Sequence, residues 1–120
     1  MKKTAWKNRI KKACTAAGTY RPQYDNVIEM LANIMAIRDS AMDSYIKNGS
    51  IPVVEHTNKG GATNIVKNPA LAVIMDCDKQ ALAYWRDLGL TPMGMKRLGE
   101  KGIVKESEDG FAEVLANLGI

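Results

Sequence analysis

No run in this 120-residue chain reaches the roughly 20 consecutive apolar residues that a membrane helix requires, so nothing in it reads as a span. Histidine occurs once, at His56, and cysteine twice, at Cys14 and Cys77, with no Cys-x-x-Cys pair and no histidine near either thiol. That spacing excludes the usual metal-ligand patterns and a disulfide framework, and it leaves a cysteine nucleophile without a base in its sequence context. Asp76, Asp78 and Asp87 lie too unevenly to form a ligand set and read as a solvated or ion-paired face. A Gly-x-x-x-x-Gly-Lys-Ser/Thr phosphate loop is missing too, so nothing cradles a nucleotide as an ATPase would. The basic start, Met1 to Lys7, is not followed by the apolar core of a secretory signal. These absences lead to the expectation of a soluble, reduced, cytoplasmic protein with no catalytic residue, cofactor or metal.

Acids are missing from one region in particular. Residues 1–21 hold seven bases, Lys2, Lys3, Lys7, Arg9, Lys11, Lys12 and Arg21, and no Asp or Glu, a charge of +7; the remaining 10 bases and 13 acids give −3. The positive field is therefore an N-terminal arm rather than a property of the whole chain. Such a segment attracts polyanions, because each phosphate it neutralises releases condensed counterions. The same pattern also serves as a solvated face that keeps a protein soluble.

The length suits one domain, placed at residues 1–102, and the apolar spacing predicts a mainly α fold. Trp6, Ile10, Ala13 and Ala17 share a face of a helix over about 3–17. Tyr20-Arg21-Pro22 then launches the longest helix, about 22–47, with Val27, Leu31, Ile34, Met35 and Met42 on its apolar stripe. At about 1.5 Å per residue it would reach close to 40 Å, more than the other helices of so short a chain cover. A second copy is the simplest partner, and Val27, Leu31, Ile34, Met35 and Met42, with Leu82 and Trp85 of the next helix, are the expected homo-oligomer interface.

Beyond Asn48-Gly49, residues 51–57 and 62–67 are rich in β-branched side chains and are joined by Asn58-Lys59-Gly60-Gly61, which predicts a short β-hairpin insertion. Asn68-Pro69 opens a third helix, to about Leu88, packed antiparallel on the second as a long helical hairpin. A C-terminal helical corner follows. Gly89 suits a left-handed helix end, Thr91 caps the next helix with its hydroxyl, and Pro92 fits a first helical position that needs no backbone donor. The new helix carries Lys96 and Arg97. Such a corner serves helix-turn-helix DNA readers and ordinary helix pairs alike. Beyond Glu100 the chain is Gly-rich and acidic from Gly102 through Gly110, and residues 103–120 then become amphipathic at Phe111, Val114, Leu115 and Leu118. This segment reads either as a partner-docking peptide or as a terminal helix folded back on the body.

Leu88-Gly89-Leu90-Thr91-Pro92 through Arg97-Leu98, with Asn68-Pro69-Ala70-Leu71 before it and Gly18-Thr19-Tyr20-Arg21-Pro22 plus Tyr24-Asp25 further upstream, resembles the small subunit of a bacteriophage terminase in order and spacing over residues 18–98. In that family Leu-Gly-Leu-Thr-Pro usually precedes small hydroxyl residues and an arginine; here Gly94 and Met95 stand where serine and arginine are common, while Arg97-Leu98 is kept. The resemblance implies a non-catalytic, ring-forming subunit in a bacterial host's cytoplasm. Such a subunit recognises double-stranded viral DNA at the start of packaging and delivers it to the terminase large subunit, which supplies the ATPase and nuclease. Lys2, Lys3, Lys7, Arg9, Lys11, Lys12, Lys96 and Arg97 are the candidate DNA contacts, and the Phe111 to Leu118 face the candidate dock for the large subunit. Two other classes stay open: a two-fold helix-turn-helix transcription regulator, which a dimer would favour over a ring, and a structural interaction module, which would not bind duplex DNA even at low salt.

Overall fold

The apolar spacing resolves into four helices and one hairpin in a computed structural model, which describes residues 1–100. The order is α1 (Lys3–Ala17), a 3-10 turn (Pro22–Tyr24), α2 (Asp25–Lys47), β1 (Val53–Thr57), β2 (Thr63–Lys67), α3 (Pro69–Asp87) and α4 (Pro92–Glu100). The fold is mainly α, with the expected hairpin insertion and helical corner. The boundary at residue 103 and the face of Phe111, Val114, Leu115 and Leu118 lie outside the described residues.

Trp6, Ile10 and Cys14, each four residues apart, form the buried stripe of α1. They meet Ile28, Leu31, Ala32 and Met35 of α2, while Ala81 and Leu88 close the cluster from the α3 side. Each large apolar side chain taken out of water there contributes about 1.5–3 kcal/mol. Leu31 and Met35 are 0% and 9% exposed within the single chain, because α1 lies along α2 rather than standing off as an arm. Val27, Ile34, Met42 and Trp85 are half-buried, and of the expected interface residues only Leu82, 60% exposed, faces fully outward.

The long helix also starts later than its sequence pattern suggested. Arg21, restricted by the following proline, is extended, and Tyr24 N–H closes a 3-10 turn on the Arg21 carbonyl at 2.9 Å, so α2 begins at Asp25. α3 starts on the predicted cap: the Asn68 side chain accepts from Ala70 N–H at 3.0 Å, and Pro69 takes the first helical position. It runs back along α2, tied by Arg38 Nε to Asp78 Oδ1 at 2.6 Å, which pairs one of the three aspartates of α3 within the chain.

β1 and β2 form an antiparallel pair in the register Val54↔Val66 and His56↔Asn64. Asn58 orders the turn, its Oδ1 accepting from Gly60 N–H at 3.0 Å and Ala62 N–H at 3.1 Å. The hairpin joins the C-terminal end of α2 to the N-terminal end of α3, at the far end of the helix pair from α4.

Asp39 anchors the start of α1 to the middle of α2. Its Oδ2 accepts from Trp6 Nε1 at 2.7 Å and from the Met1 amino group at 2.9 Å. Burial alone would raise this carboxyl; the Met1 and Trp6 donors outweigh that and hold it below the usual carboxylate value. A lowered value in the folded state means that the contribution to stability is complete above the ordinary carboxylate pKa and is lost as the pH falls through the lower folded value. Asp39→Ala should therefore cost about 1–2 kcal/mol at pH 7. The gap between variant and parent in thermal unfolding should narrow once the pH drops below the ordinary carboxylate range.

Candidate nucleic-acid interface

Gly89 to Leu98 is a stretch of ten residues, and its corner is built from local chemistry. Gly89 has φ +74°, the left-handed conformation that ends α3; its N–H reaches the Arg86 carbonyl at 2.9 Å and Leu90 N–H reaches that of Trp85 at 2.9 Å. Thr91 Oγ1 then accepts from Gly94 N–H at 3.1 Å, capping α4, and Pro92 follows at its first position.

Two glycines set how closely the two helices cross. A Cβ on Gly94 would overlap the Arg86 carbonyl oxygen, so α4 rests directly on the last turn of α3. A Cβ on Gly89 would lie 2.6 Å from Leu98 Cδ1 and 2.8 Å from Thr19 Cγ2. These two side chains therefore both close over Gly89. Leu98 comes from α4, whereas Thr19 comes from the link between α1 and α2. Two of the three sequence motifs that carry the family resemblance, distant along the chain, meet at this point.

The link itself is ordered by its own residues. Thr19 is 1% exposed, with Oγ1 donating to the Cys14 carbonyl at 3.3 Å. Tyr20 donates its hydroxyl to Asp25 Oδ1 at 2.9 Å, and Arg21 Nη1 donates to the Tyr20 carbonyl at 2.8 Å. Lys11 lies over the Tyr20 ring, its Nζ 5.1 Å from the centroid. The Tyr20 hydroxyl first, and the charge of Asp25 after it, hold the Lys11 ammonium above the usual lysine value, so it is a permanent cation. The C-terminal half of α1, the link and α4 consequently form one end of the molecule, carrying Lys11, Lys12, Lys96 and Arg97; Lys12, Lys96 and Arg97 are exposed.

The other α1 bases are disposed differently. Lys3 pairs with Glu29 of α2 at 3.2 Å, and that contact, reinforced by the charges of Lys3 and Lys7, keeps Glu29 below the usual carboxylate value. Arg9 stacks over Trp6 at 5.2 Å, and Lys2 is exposed beside the start of the helix. Charge counting along the sequence treated all of these as equivalent; packing turns Lys3 and Lys7 towards an acid of the same chain. The contribution of Thr19 had no signal in composition or periodicity.

Burial pushes the Cys14 and Cys77 thiols up, and His56 is an exposed side chain on β1. Among the described residues no group of three metal-ligating side chains converges, and no helix is long and apolar enough to cross a membrane.

The sequence profile of the family described as phage terminase, small subunit, matches residues 3–104, which takes in all four helices and the hairpin. Comparison with curated proteins and with solved structures gives no match. With the profile spanning most of the chain, and with two family motifs meeting at Gly89, the protein belongs to the phage terminase small-subunit family.

Proposed function

We propose that this chain is the non-catalytic, DNA-recognising subunit of a phage packaging motor. On this reading duplex DNA is held at the end where α1, the 18–25 link and α4 meet, and the terminase large subunit receives it. The observation that carries the proposal is the closure of Thr19 and Leu98 over Gly89, which brings the helix of Lys96 and Arg97 to the C-terminal end of α1, a helix that lies within the 21 acid-free residues at the start of the chain. On this reading the two weak basic clusters engage a phosphate backbone together, and copies joined into an oligomer multiply the effect through effective concentration.

Assembly into a homo-oligomer is supported by apolar side chains that the protomer leaves uncovered. Met30 and Ile37 of α2 are 53% and 47% exposed on the side away from α1, and Met75 and Leu82 of α3 are 51% and 60% exposed. The supposition of a large-subunit dock at residues 111–118 rests on the family resemblance and the amphipathic pattern alone. Direct titration of the full chain with duplex DNA tests the core of the reading. Binding should be tight at low salt and fall steeply as salt rises; an absence of binding at low salt would overturn it and leave a structural interaction module.

A further inference from the structure

The β-hairpin is the part of the molecule that the DNA-binding reading does not use, and its exposure is anomalous. Every residue of β1 and β2 except Val54 is exposed; Ile65 reaches 75% and Val53 52%. An isolated two-stranded hairpin is marginally stable in water and ordinarily needs a third strand or a packed helix.

Its edges are open in a defined way. Asn58 N–H bonds the Ala62 carbonyl and Asn68 N–H the Pro52 carbonyl, both at 2.9 Å. Hydrogen-bonded pairs alternate along an antiparallel ladder, so in the observed register Val54/Val66 and His56/Asn64 are the bonded pairs. The N–H and C=O groups of Val53, Glu55 and Thr57 therefore point away from β2, and those of Thr63, Ile65 and Lys67 point away from β1. Natural edges are normally blunted by a bulge, a central lysine or a proline. Here the centre of the β2 edge is Ile65, the most exposed large apolar side chain among the described residues.

The two edges also carry opposite charges. Glu55 sits on the β1 edge and Lys67 on the β2 edge, on the same face of the hairpin. Neither forms an ion pair among the described residues; Lys67 Nζ reaches only the Met75 sulfur, at 3.7 Å.

We infer that the hairpin pairs with the hairpin of a second copy of this chain, the β1 edge of one protomer joining the β2 edge of the next in a continuous antiparallel sheet. The occupant is a second copy because one hairpin already carries both complementary halves: two edges with matching outward groups, an acid on one and a base on the other. Copies standing side by side in the same orientation bring β1 against a neighbour's β2 antiparallel, with Glu55 opposite or diagonal to the neighbour's Lys67. Head-to-tail contact of this kind closes into rings or extends into filaments, unlike a two-fold dimer contact. The inference rests on the homo-oligomer reading above and adds a second surface to the exposed apolar faces of α2 and α3.

The test uses the full chain and two charge-reversed variants, Glu55→Lys and Lys67→Glu, with oligomer mass followed by light scattering across concentration. Each variant alone places like charges across the junction and should raise the assembly midpoint about threefold to tenfold. An equimolar mixture should recover the parent midpoint, because alternating copies restore opposite charges at every junction, which no contact within one hairpin achieves. Ile65→Pro removes an outward N–H while leaving the bonded pairs of the hairpin in place, and it should weaken assembly in the same assay. If the parent assembles and all three variants assemble with its midpoint, or if the mixture fails to recover, the hairpin is not the junction. A parent that remains monomeric at micromolar concentration overturns the oligomer reading and this inference together.

Discussion

Leu31→Asp should unfold the protomer, whereas Leu82→Asp should leave it folded and separate the copies. Leu31 of α2 is fully buried in the same apolar cluster as Ile10, Ile28 and Met35, and an aspartate there has no partner for its charge. Removing the apolar side chain costs about 2–5 kcal/mol, and burying a carboxylate in its place adds several more, against a total stability of about 5–15 kcal/mol. Helical circular dichroism and the thermal transition should both collapse. Leu82 is 60% exposed on α3, so a carboxylate there stays hydrated in the monomer and costs the fold little. In the assembled state it would enter a dry contact without a counter-charge, and the oligomer mass should fall towards that of one chain. A Leu82→Asp protein that keeps the parent mass would place the contact between copies elsewhere.

Gly94→Val should lift α4 off α3 and weaken DNA binding without disturbing α1 and α2. The new Cβ would overlap the Arg86 carbonyl oxygen, a backbone atom that cannot swing aside as a side-chain tip does. Overpacking of this kind costs about 1–3 kcal/mol, enough to release a helix of nine residues that is marginal in isolation. Once α4 moves, Leu98 leaves Gly89 and the base pair Lys96 and Arg97 loses its fixed position beside α1. The loss of duplex affinity should then match that of removing Lys96 and Arg97 outright, while most helical signal remains. The same geometry accounts for a departure of this chain from its family: where serine is common, Gly94 allows α4 to approach the α3 backbone more closely than any residue with a Cβ.

The corner was legible in the sequence because its chemistry acts within four residues. Gly89 at positive φ, the Thr91 cap and Pro92 at the start of α4 each depend on their immediate neighbours, and so do the Asn68 cap and the Asn58 turn. Periodicity likewise marked which faces of α1, α2 and α3 are apolar. It carries no information on what covers them: Leu31 and Met35, expected at an interface between copies, are already buried within the single chain, in one cluster with residues of α1 and of the α3 side. The same limit applies to charge. Seven bases without an acid read as one free arm, yet Lys3 and Lys7 face Glu29, an acid contributed by α2. The meeting of Thr19 with Gly89 and Leu98 is a tertiary contact between distant segments, and no local rule announces it.

The claim that two separate basic clusters form one DNA-binding end is tested most directly by the salt dependence of duplex-DNA affinity, compared between the parent and the variant Lys96→Ala/Arg97→Ala. Each phosphate contact contributes about 0.9 to the slope of log affinity against log salt. If both residues touch the backbone together with the exposed bases of α1, the slope should fall by about two in the double variant, and by a further one or two when Lys11 and Lys12 are also replaced. An unchanged slope after loss of Lys96 and Arg97 would contradict the account, because it would mean that α4 does not face the DNA.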